Sequence, residues 1–177
     1  GVHSPAGSYN AELGADSNAS CIKCDPGTAS PVPASTSSAA CVRCNMGSFT
    51  STSMPKDTCE PCAAGEYQDA EGQTACSACA ALPACAVGQY RAGCGASSAG
   101  SCTPCTATTD RYFTSAGGLT DSCGTSACAD LEPCDVGSYR TGCAATSQGL
   151  CKPCTAVAGR YFTSAGGLTD SCGTSAC

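Results

Sequence analysis

The feature that most constrains this chain is its cysteine content, since 20 of its 177 residues are cysteine. Only 16 residues are Leu, Ile, Val or Phe, and tryptophan is absent. A chain with so few large apolar side chains normally stays disordered unless covalent links hold it together. The sequence therefore predicts a fold held by disulfides rather than by a hydrophobic core, and an oxidising compartment in which those disulfides persist.

Charge and hydropathy exclude several kinds of partner. The net charge is -6 with only 8 Lys plus Arg, which argues against binding to nucleic acid or to an anionic membrane surface. No apolar run approaches 18 residues, so we expect no membrane insertion in this segment. The sequence starts at Gly1 without a charged-then-apolar leader, so we expect any secretion signal to have been removed or to lie upstream. These observations predict a secreted, extracellular or cell-surface protein.

The second half of the chain is a duplication. Residues 79–127 and 128–176 are identical at 35 of 49 aligned positions, and the stretch 111–128 reappears unchanged as 160–177. We therefore place two six-Cys repeats at 79–127 and 128–176. Cys177 begins either a further copy or a contact between chains.

The first half follows a shorter period. Cys-x-x-Cys pairs stand at 21/24, 41/44, 59/62 and 76/79. In the first three pairs a Gly follows three residues after the second Cys, as in Gly47-Ser-Phe49 and Gly65-Glu-Tyr67. Glycine permits the positive φ of a tight turn beside a cross-linked Cys, and we expect the aromatic ring to lie over a disulfide or a neighbouring turn. We divide this half into a partial module at 1–23 and three short modules at 24–78.

These patterns together predict the fold class. No segment shows the apolar spacing of a helix, and the chain contains 21 Gly and 10 Pro. We predict a small disulfide-rich fold: an elongated tandem array of cysteine-rich modules with short β-hairpins and turns and little or no helix.

The pattern C-x2-G-x-[YF]-x(n)-C-x2-C, which covers residues 21–177, resembles the ephrin-receptor-like and tumour-necrosis-factor-receptor-like cysteine-rich modules. Repeats of this kind are also abundant in surface proteins of protists, including ciliate surface antigens. The resemblance implies the module strongly and the biological function weakly, because the family includes receptors, adhesion proteins and coats.

The sequence alone leaves the disulfide connectivity open. The resemblance implies the simple pairs Cys24–Cys41, Cys44–Cys59 and Cys62–Cys76, then a crossed module and a simple pair in each six-Cys repeat: Cys79–Cys94, Cys85–Cys102 and Cys105–Cys123, repeated as Cys128–Cys143, Cys134–Cys151 and Cys154–Cys172. This scheme leaves Cys21 and Cys177 unpaired, with Ser4 where the partner of Cys21 is expected. The two leftover cysteines are candidates for bonds between chains.

No motif predicts catalysis, a metal or a cofactor. The chain has one histidine, and its acidic residues are dispersed. Two Cys-x-x-Cys pairs are also compatible with Zn²⁺, but the repeated Gly-x-aromatic element favours disulfides. Asp121 and Asp170 are copies of each other and are interpreted as turn caps, with weak calcium binding as the alternative. We predict that the protein is not an enzyme.

Two features point to binding and surface chemistry. Arg next to aromatic residues is enriched at interfaces, which makes interface candidates of Arg111, Tyr112 and Phe113 and of their copies Arg160, Tyr161 and Phe162; packing inside each module is the alternative. Asn18 lies in the one N-glycosylation sequon. Ser/Thr-rich runs near proline suit O-glycans, at Ser35, Thr36, Ser37, Ser38, Thr50, Ser51, Thr52, Ser53, Thr106, Thr108 and Thr109.

Near-identical repeats present equivalent patches at regular intervals, which favours open head-to-tail assembly. The sequence therefore predicts an extracellular structural protein, a subunit of a glycosylated fibre, appendage or cell-surface coat whose partners are copies of itself and covalent glycans. The alternative is the ligand-binding or stalk ectodomain of a surface receptor or antigen.

Overall fold

The computed structural model describes residues 4–11, 20–53 and 56–177. Among these residues, sixteen short strands form eight two-stranded sheets, each of which joins two consecutive strands. The strands are β1 (Ser8–Tyr9), β2 (Ile22–Lys23), β3 (Thr28–Ala29), β4 (Val42–Arg43), β5 (Ser48–Phe49), β6 (Glu60–Pro61), β7 (Glu66–Tyr67), β8 (Ser77–Ala78), β9 (Gln89–Gly95), β10 (Ser98–Pro104), β11 (Arg111–Phe113), β12 (Thr125–Ala127), β13 (Ser138–Ala144), β14 (Ser147–Pro153), β15 (Arg160–Phe162) and β16 (Thr174–Ala176).

In the described residues helix is confined to short 3-10 turns, which include Ser38–Ala40, Cys79–Ala81 and Cys128–Asp130. Isolated two-stranded hairpins are marginal in water, so these sheets need an external clamp. Nine disulfides supply it, and they join the same pairs that the family resemblance implies. Each disulfide joins cysteines that are 14 to 18 residues apart in the sequence. In the chain-entropy model each contributes about 3 kcal/mol to the free energy of unfolding.

The interior consists of sulfur and small side chains. Six of the buried apolar residues are leading cysteines, the earlier partner of a module's disulfide: Cys24, Cys44, Cys79, Cys105, Cys128 and Cys154. Phe113 is the one large apolar side chain buried among the described residues, whereas Ser30 and Thr50 are fully buried. The prediction of a small disulfide-rich fold of β-hairpin modules is confirmed.

The chain divides into two compact units. The first contains residues 1–83 and 92–101, with strands β1 to β8; the second contains residues 84–91 and 102–177, with strands β11 to β16. The modules predicted from the cysteine spacing are finer than this division. Each unit holds several of them in series.

Candidate functional site

The modules share one backbone turn. The N–H of the cysteine at the leading position of one module donates to the carbonyl at the glycine position of the Gly-x-aromatic element in the module before it, from Cys24 to Gly7 at 2.9 Å and from Cys154 to Gly137 at 2.8 Å. Both glycines have φ near +80° (79° and 80°), where a side chain is strained. The described chain has eight such acceptors: Gly7, Gly27, Gly47, Gly65, Gly88, Asp110, Gly137 and Gly159.

Sequence reasoning missed two of these turns. Asp110 and Gly159 stand five residues after the leading cysteine of their module instead of three. Both have positive φ, 55° and 70°, and their carbonyls accept from Cys128 and Cys177. The triplet Gly159-Arg-Tyr161 fits the Gly-x-aromatic pattern. It was overlooked because it stands two residues farther from its leading cysteine than in the other modules, and because the first copy has aspartate in place of the glycine. Each six-Cys repeat therefore contains two modules, and the predicted interface residues form the strands β11 and β15 of the second one.

Each turn leads into a strand that also bonds the following module. The N–H one residue after the aromatic position donates to a carbonyl of that module, from Gln68 to Ala96 at 2.8 Å in the first unit and from Phe113 to Ala145 at 2.6 Å in the second. In both cases the preceding tyrosine and the same alanine form an isolated parallel bridge. The donors at the same position in other modules are Asn10, Ser30, Thr50, Arg91 and Arg140. Modules in series are thus joined through their strand edges.

The phenylalanines of β11 and β15 lie against a glycine of the preceding module. A Cβ placed on Gly88 would stand 2.7 Å from Cδ2 of Phe113, and one on Gly137 would stand 2.7 Å from Cδ2 of Phe162. Only glycine leaves room for the ring at these positions. The Cγ2 atom of Thr146, in the following repeat, lies 3.0 Å from the same Cβ position on Gly88. The following repeat therefore covers Phe113.

Identical sequences therefore have different surroundings. Phe113 is 8% exposed and Cys128 is bonded to Cys143, because residues 143–146 cover β11. In the second copy Tyr161 is 55% exposed and Cys177 is a free, exposed thiol. In the first copy the ring of Phe113 packs inside the chain, whereas Arg111 is exposed. A role of these residues at an interface stays a prediction. The second copy keeps an accessible surface.

The arginines of both copies are fixed within their own hairpins. Nε of Arg111 donates to Oγ1 of Thr125 at 2.8 Å, and Nε of Arg160 donates to Oγ1 of Thr174 at 2.7 Å. Each guanidinium also donates to the carbonyl of the same threonine. The arginines therefore hold their strand pairs together, and the open surface of the second copy is formed by Tyr161 and Phe162.

Asp121 and Asp170 cap the turn that follows a leading cysteine. Asp170 accepts from the N–H of Thr155 at 3.0 Å and from its hydroxyl, and Asp121 accepts the equivalent pair from Thr106. The hydroxyl and the N–H of Thr155 lower the pKa of Asp170. Across residues 4–11, 20–53 and 56–177, no three potential ligands gather into a metal-binding group.

One buried charged residue among those described was not predicted. Lys56 is 6% exposed, and its Nζ finds no hydrogen-bond acceptor among the residues that the structure describes. Burial lowers the pKa of Lys56, with Asp25 opposing the shift and Lys23 adding to it. Its carbonyl accepts from the N–H of Ser30 at 2.8 Å, so its backbone belongs to the edge contacts between modules.

The cysteines predicted to remain unpaired are free thiols, with Cys21 half-buried and Cys177 exposed. The first module has the same hairpin as the others, since β1 pairs with β2 in antiparallel register. Ser4 is buried at the place of a leading cysteine, and its hydroxyl donates to the carbonyl of Ser35 at 3.0 Å. Over its described residues the first module therefore has the hairpin and the backbone turn of the other modules, without a disulfide.

The predicted glycosylation sites differ in access. Asn18 lies outside the described residues. Thr50 is fully buried, and its Oγ1 accepts from the N–H of Gly27 and donates to the carbonyl of Thr28. Attachment there would require the fold to open, so Thr50 is removed as a candidate. Exposed residues are Thr36, Ser37, Ser38, Thr52, Ser53, Thr106, Thr108 and Thr109, while Ser35 and Ser51 are half-buried.

Part of the chain matches a known protein family. Residues 47–82 match the family model described as tyrosine-protein kinase ephrin type A/B receptor-like. This segment is similar to an ephrin-receptor-like cysteine-rich module. The match spans the third and fourth of the eight turns and confirms the resemblance read from the cysteine motif. No curated protein sequence matches the chain.

The ephrin-receptor-like match and the nine disulfides together indicate an extracellular domain. Within the ranges that the structure describes, no helix is long and apolar enough to cross a membrane.

Proposed function

We propose that this chain is a structural subunit of a glycosylated extracellular fibre, appendage or cell-surface coat that assembles head to tail. The observation that carries the proposal is the pair of identical sequences 111–128 and 160–177. The first is covered by the following repeat, and the second presents the same strand, ring and cysteine to solvent. A surface that already serves as a junction inside the chain is suited to serve as one between chains.

The two free thiols support a covalent form of this assembly. Cys177 stands where a leading cysteine stands, and Cys21 stands where a closing cysteine, the later partner of a module's disulfide, stands. A disulfide between Cys177 of one copy and Cys21 of the next would restore the pairing that each lacks. Small-molecule disulfides such as oxidised glutathione would accept the electrons, since two thiols are oxidised as one disulfide of glutathione is reduced.

Electrophoresis without reductant tests the covalent form. We expect a ladder of oligomers that collapses to monomer on reduction, and we expect Cys177→Ser to abolish it. Ser4→Cys is the matched variant, because it gives Cys21 a partner within its own module and should remove the ladder while leaving Cys177 in place. A single monomer band with and without reductant would eliminate the covalent form.

Negative-stain microscopy of native, glycosylated material tests assembly itself. Filaments at moderate concentration are the expected result, and the proposal predicts that they form without nucleic acid or membrane. Enzymatic removal of glycans before imaging would show whether the surface hydroxyls contribute. A sample that stays monodisperse at every concentration would contradict the fibre.

A ligand-binding or stalk ectodomain of a surface receptor or antigen is the second candidate. The ephrin-receptor-like match at residues 47–82 favours it. Its expectation is a monodisperse protein that binds a separate ligand and forms no filaments, so sedimentation of the purified chain over a range of concentrations distinguishes the two.

A further inference from the structure

We infer that a groove within the second six-Cys repeat is a docking site for a basic peptide segment of another protein, one that carries a lysine or an arginine next to aliphatic side chains. The inference does not rest on head-to-tail assembly, since it suits a fibre subunit and a receptor ectodomain alike. The groove has a volume of about 540 Å³, which lies within the range of ~300–1,000 Å³ that is usual for ligand sites.

The lining of the groove is largely apolar. One wall belongs to the segment 128–134 and contributes Leu131 and Pro133, and the opposite wall belongs to the turn 165–168 and contributes Leu168. Both leucines are half-buried, so each keeps part of its side chain accessible. An aliphatic side chain placed between them would lose its contact with water, which favours binding.

Both walls are held in place by the fold. The disulfides of Cys128 and Cys134 anchor the first wall at its two ends. The N–H of Arg140 on β13 donates to the carbonyl of Gly167 in the opposite wall at 2.8 Å, and its guanidinium donates to the carbonyl of Glu132 at 2.7 Å. Arg140 therefore ties both walls to one strand, and a peptide would enter a groove that is already formed.

The rim of the first wall is acidic. Glu132 lines the groove, and Asp130 and Asp135 are neighbours of lining residues in the chain. These three residues, the acidic rim, are exposed, and none of their carboxylates is bonded to another residue that the structure describes. Arg140 is the one cation in the lining, and its guanidinium donates to the backbone carbonyls of Glu132 and Gln148. Three carboxylates against one guanidinium leave an excess of two negative charges, which a basic side chain complements.

The acidic rim is a feature of the second repeat. The first repeat has Ala81, Pro83 and Ala86 at these three positions, although it shares both leucines of the groove. The second repeat gains a charge at four of its 14 differences from the first, namely at the three rim positions and at Lys152 on β14. The apolar lining is thus common to both repeats, and negative charge is added beside it in one of them.

The first repeat also shows that a following repeat leaves these positions accessible. Leu82, the counterpart of Leu131, is half-buried as Leu131 is. Leu119, the counterpart of Leu168, is 45% exposed although another repeat follows it in the chain. The accessibility of the two leucines is therefore a property of the repeat itself.

The charge of the chain selects the occupant. A second copy has a net charge of -6 with only 8 Lys plus Arg, so it approaches the acidic rim against a repulsive field. A basic segment of a different protein is attracted by the same field. We therefore assign the groove to a different, basic partner.

Peptide titration of the full disulfide-bonded chain tests the inference. The probes are acetyl-Gly-Leu-Arg-Leu-Gly-amide and the same peptide with glutamate in place of arginine. By NMR we expect the arginine peptide to shift the methyl signals of Leu131 and Leu168 and to bind at least tenfold more tightly than the glutamate peptide. Because the rim is exposed, this preference should fall severalfold as the salt concentration rises from about 0.01 M to about 1 M.

Variants separate the charge from the apolar lining. Asp130→Ala and Asp135→Ala introduce the residues of the first repeat, and Glu132→Gln removes the third charge at constant side-chain length. The triple variant should lower the preference for the arginine peptide by at least fivefold. Leu168→Ser should weaken the binding of both peptides by at least threefold. Leu119→Ser, at the same position of the first repeat, is the matched control and should leave both affinities unchanged.

The outcomes that contradict the inference are distinct. Equal affinity of the two peptides, shifts confined to residues outside the groove, or a preference that survives the triple variant would overturn it. Signals of Leu131 and Leu168 that shift as the concentration of the chain alone rises would assign the groove to a second copy and would overturn the choice of partner. None of these results depends on whether the chain forms filaments.

Discussion

The stretches 111–128 and 160–177 have the same eighteen residues and the same β-hairpin, yet their phenylalanines and their last cysteines differ in burial. Phe113 is buried and Cys128 is bonded, whereas Phe162 is half-buried and Cys177 is free. The difference comes from residues 143–146, which contact the first stretch. The comparison teaches that the fold of a module is local, because its own turn and disulfide fix it, while the role of its surface depends on the neighbour.

The largest predicted contrast is between the cysteines. Replacing Cys128 and Cys143 together by serine removes a disulfide with a sequence separation of 15, and we expect a loss of about 3 kcal/mol in the free energy of unfolding. Cys177→Ser should change it by less than about 0.5 kcal/mol. Urea unfolding followed by tyrosine fluorescence measures both, and a similar loss in the two proteins would mean that Cys177 is also engaged.

The phenylalanines give the next contrast. Phe113→Ala should cost about 3 kcal/mol, because it empties a buried site between a glycine and the following repeat. Phe162→Ala should cost about half as much, since water already reaches that ring. The same unfolding measurement applies, and equal losses would show that residues 143–146 do not shield Phe113.

Glycine replacements sharpen the comparison at the turns. Gly137→Ala puts a methyl group 2.7 Å from Cδ2 of Phe162 at a φ of 80°, and we expect a loss of about 2 kcal/mol. Gly159→Asp should cost less than about 1 kcal/mol, because no atom lies within 4 Å of its Cβ position and the first copy already carries Asp110 there. The reverse order of stabilities would refute the shared turn.

The smallest effect concerns the capping aspartates. The folded pKa of Asp170 lies below the ordinary value of 3.8, so its contribution to stability is present above that value and is lost as the pH falls through the lowered pKa. Thr155→Val removes the hydroxyl donor and should raise the pKa of Asp170 towards the ordinary value. Carboxyl titration by NMR measures the shift, with Thr106→Val as the control that leaves Asp170 unchanged.

Much of this architecture follows from sequence for a physical reason. A disulfide and a positive-φ glycine act within fifteen or so residues, and both leave their mark in residue spacing, so the hairpin modules were predictable. The turn at Asp110 was not, because aspartate also tolerates positive φ and the loop before it is two residues longer. Thr50 and Lys56 were missed because hydrophilic runs are usually solvated, whereas in a chain with few large apolar residues small polar groups fill the interior.

The junction surfaces lay beyond prediction for a different reason. Two identical stretches cannot be distinguished by their own residues, and only the position of residues 143–146 distinguishes β11 from β15. The sequence singled out Arg111 and Arg160 together with their aromatic neighbours, but the arginines are tied to Thr125 and Thr174. The accessible part of that motif is the ring of Tyr161 and the edge of its strand.

Hydrogen exchange at two amides tests the central claim most directly. In the unassembled full chain, the N–H of Phe113 is bonded to Ala145 and should exchange at least a hundredfold more slowly than the N–H of Phe162. In assembled material the Phe162 amide should slow to the range of Phe113. Equal protection of the two amides in the unassembled chain, or a Phe162 amide that stays fast after assembly, would contradict the account.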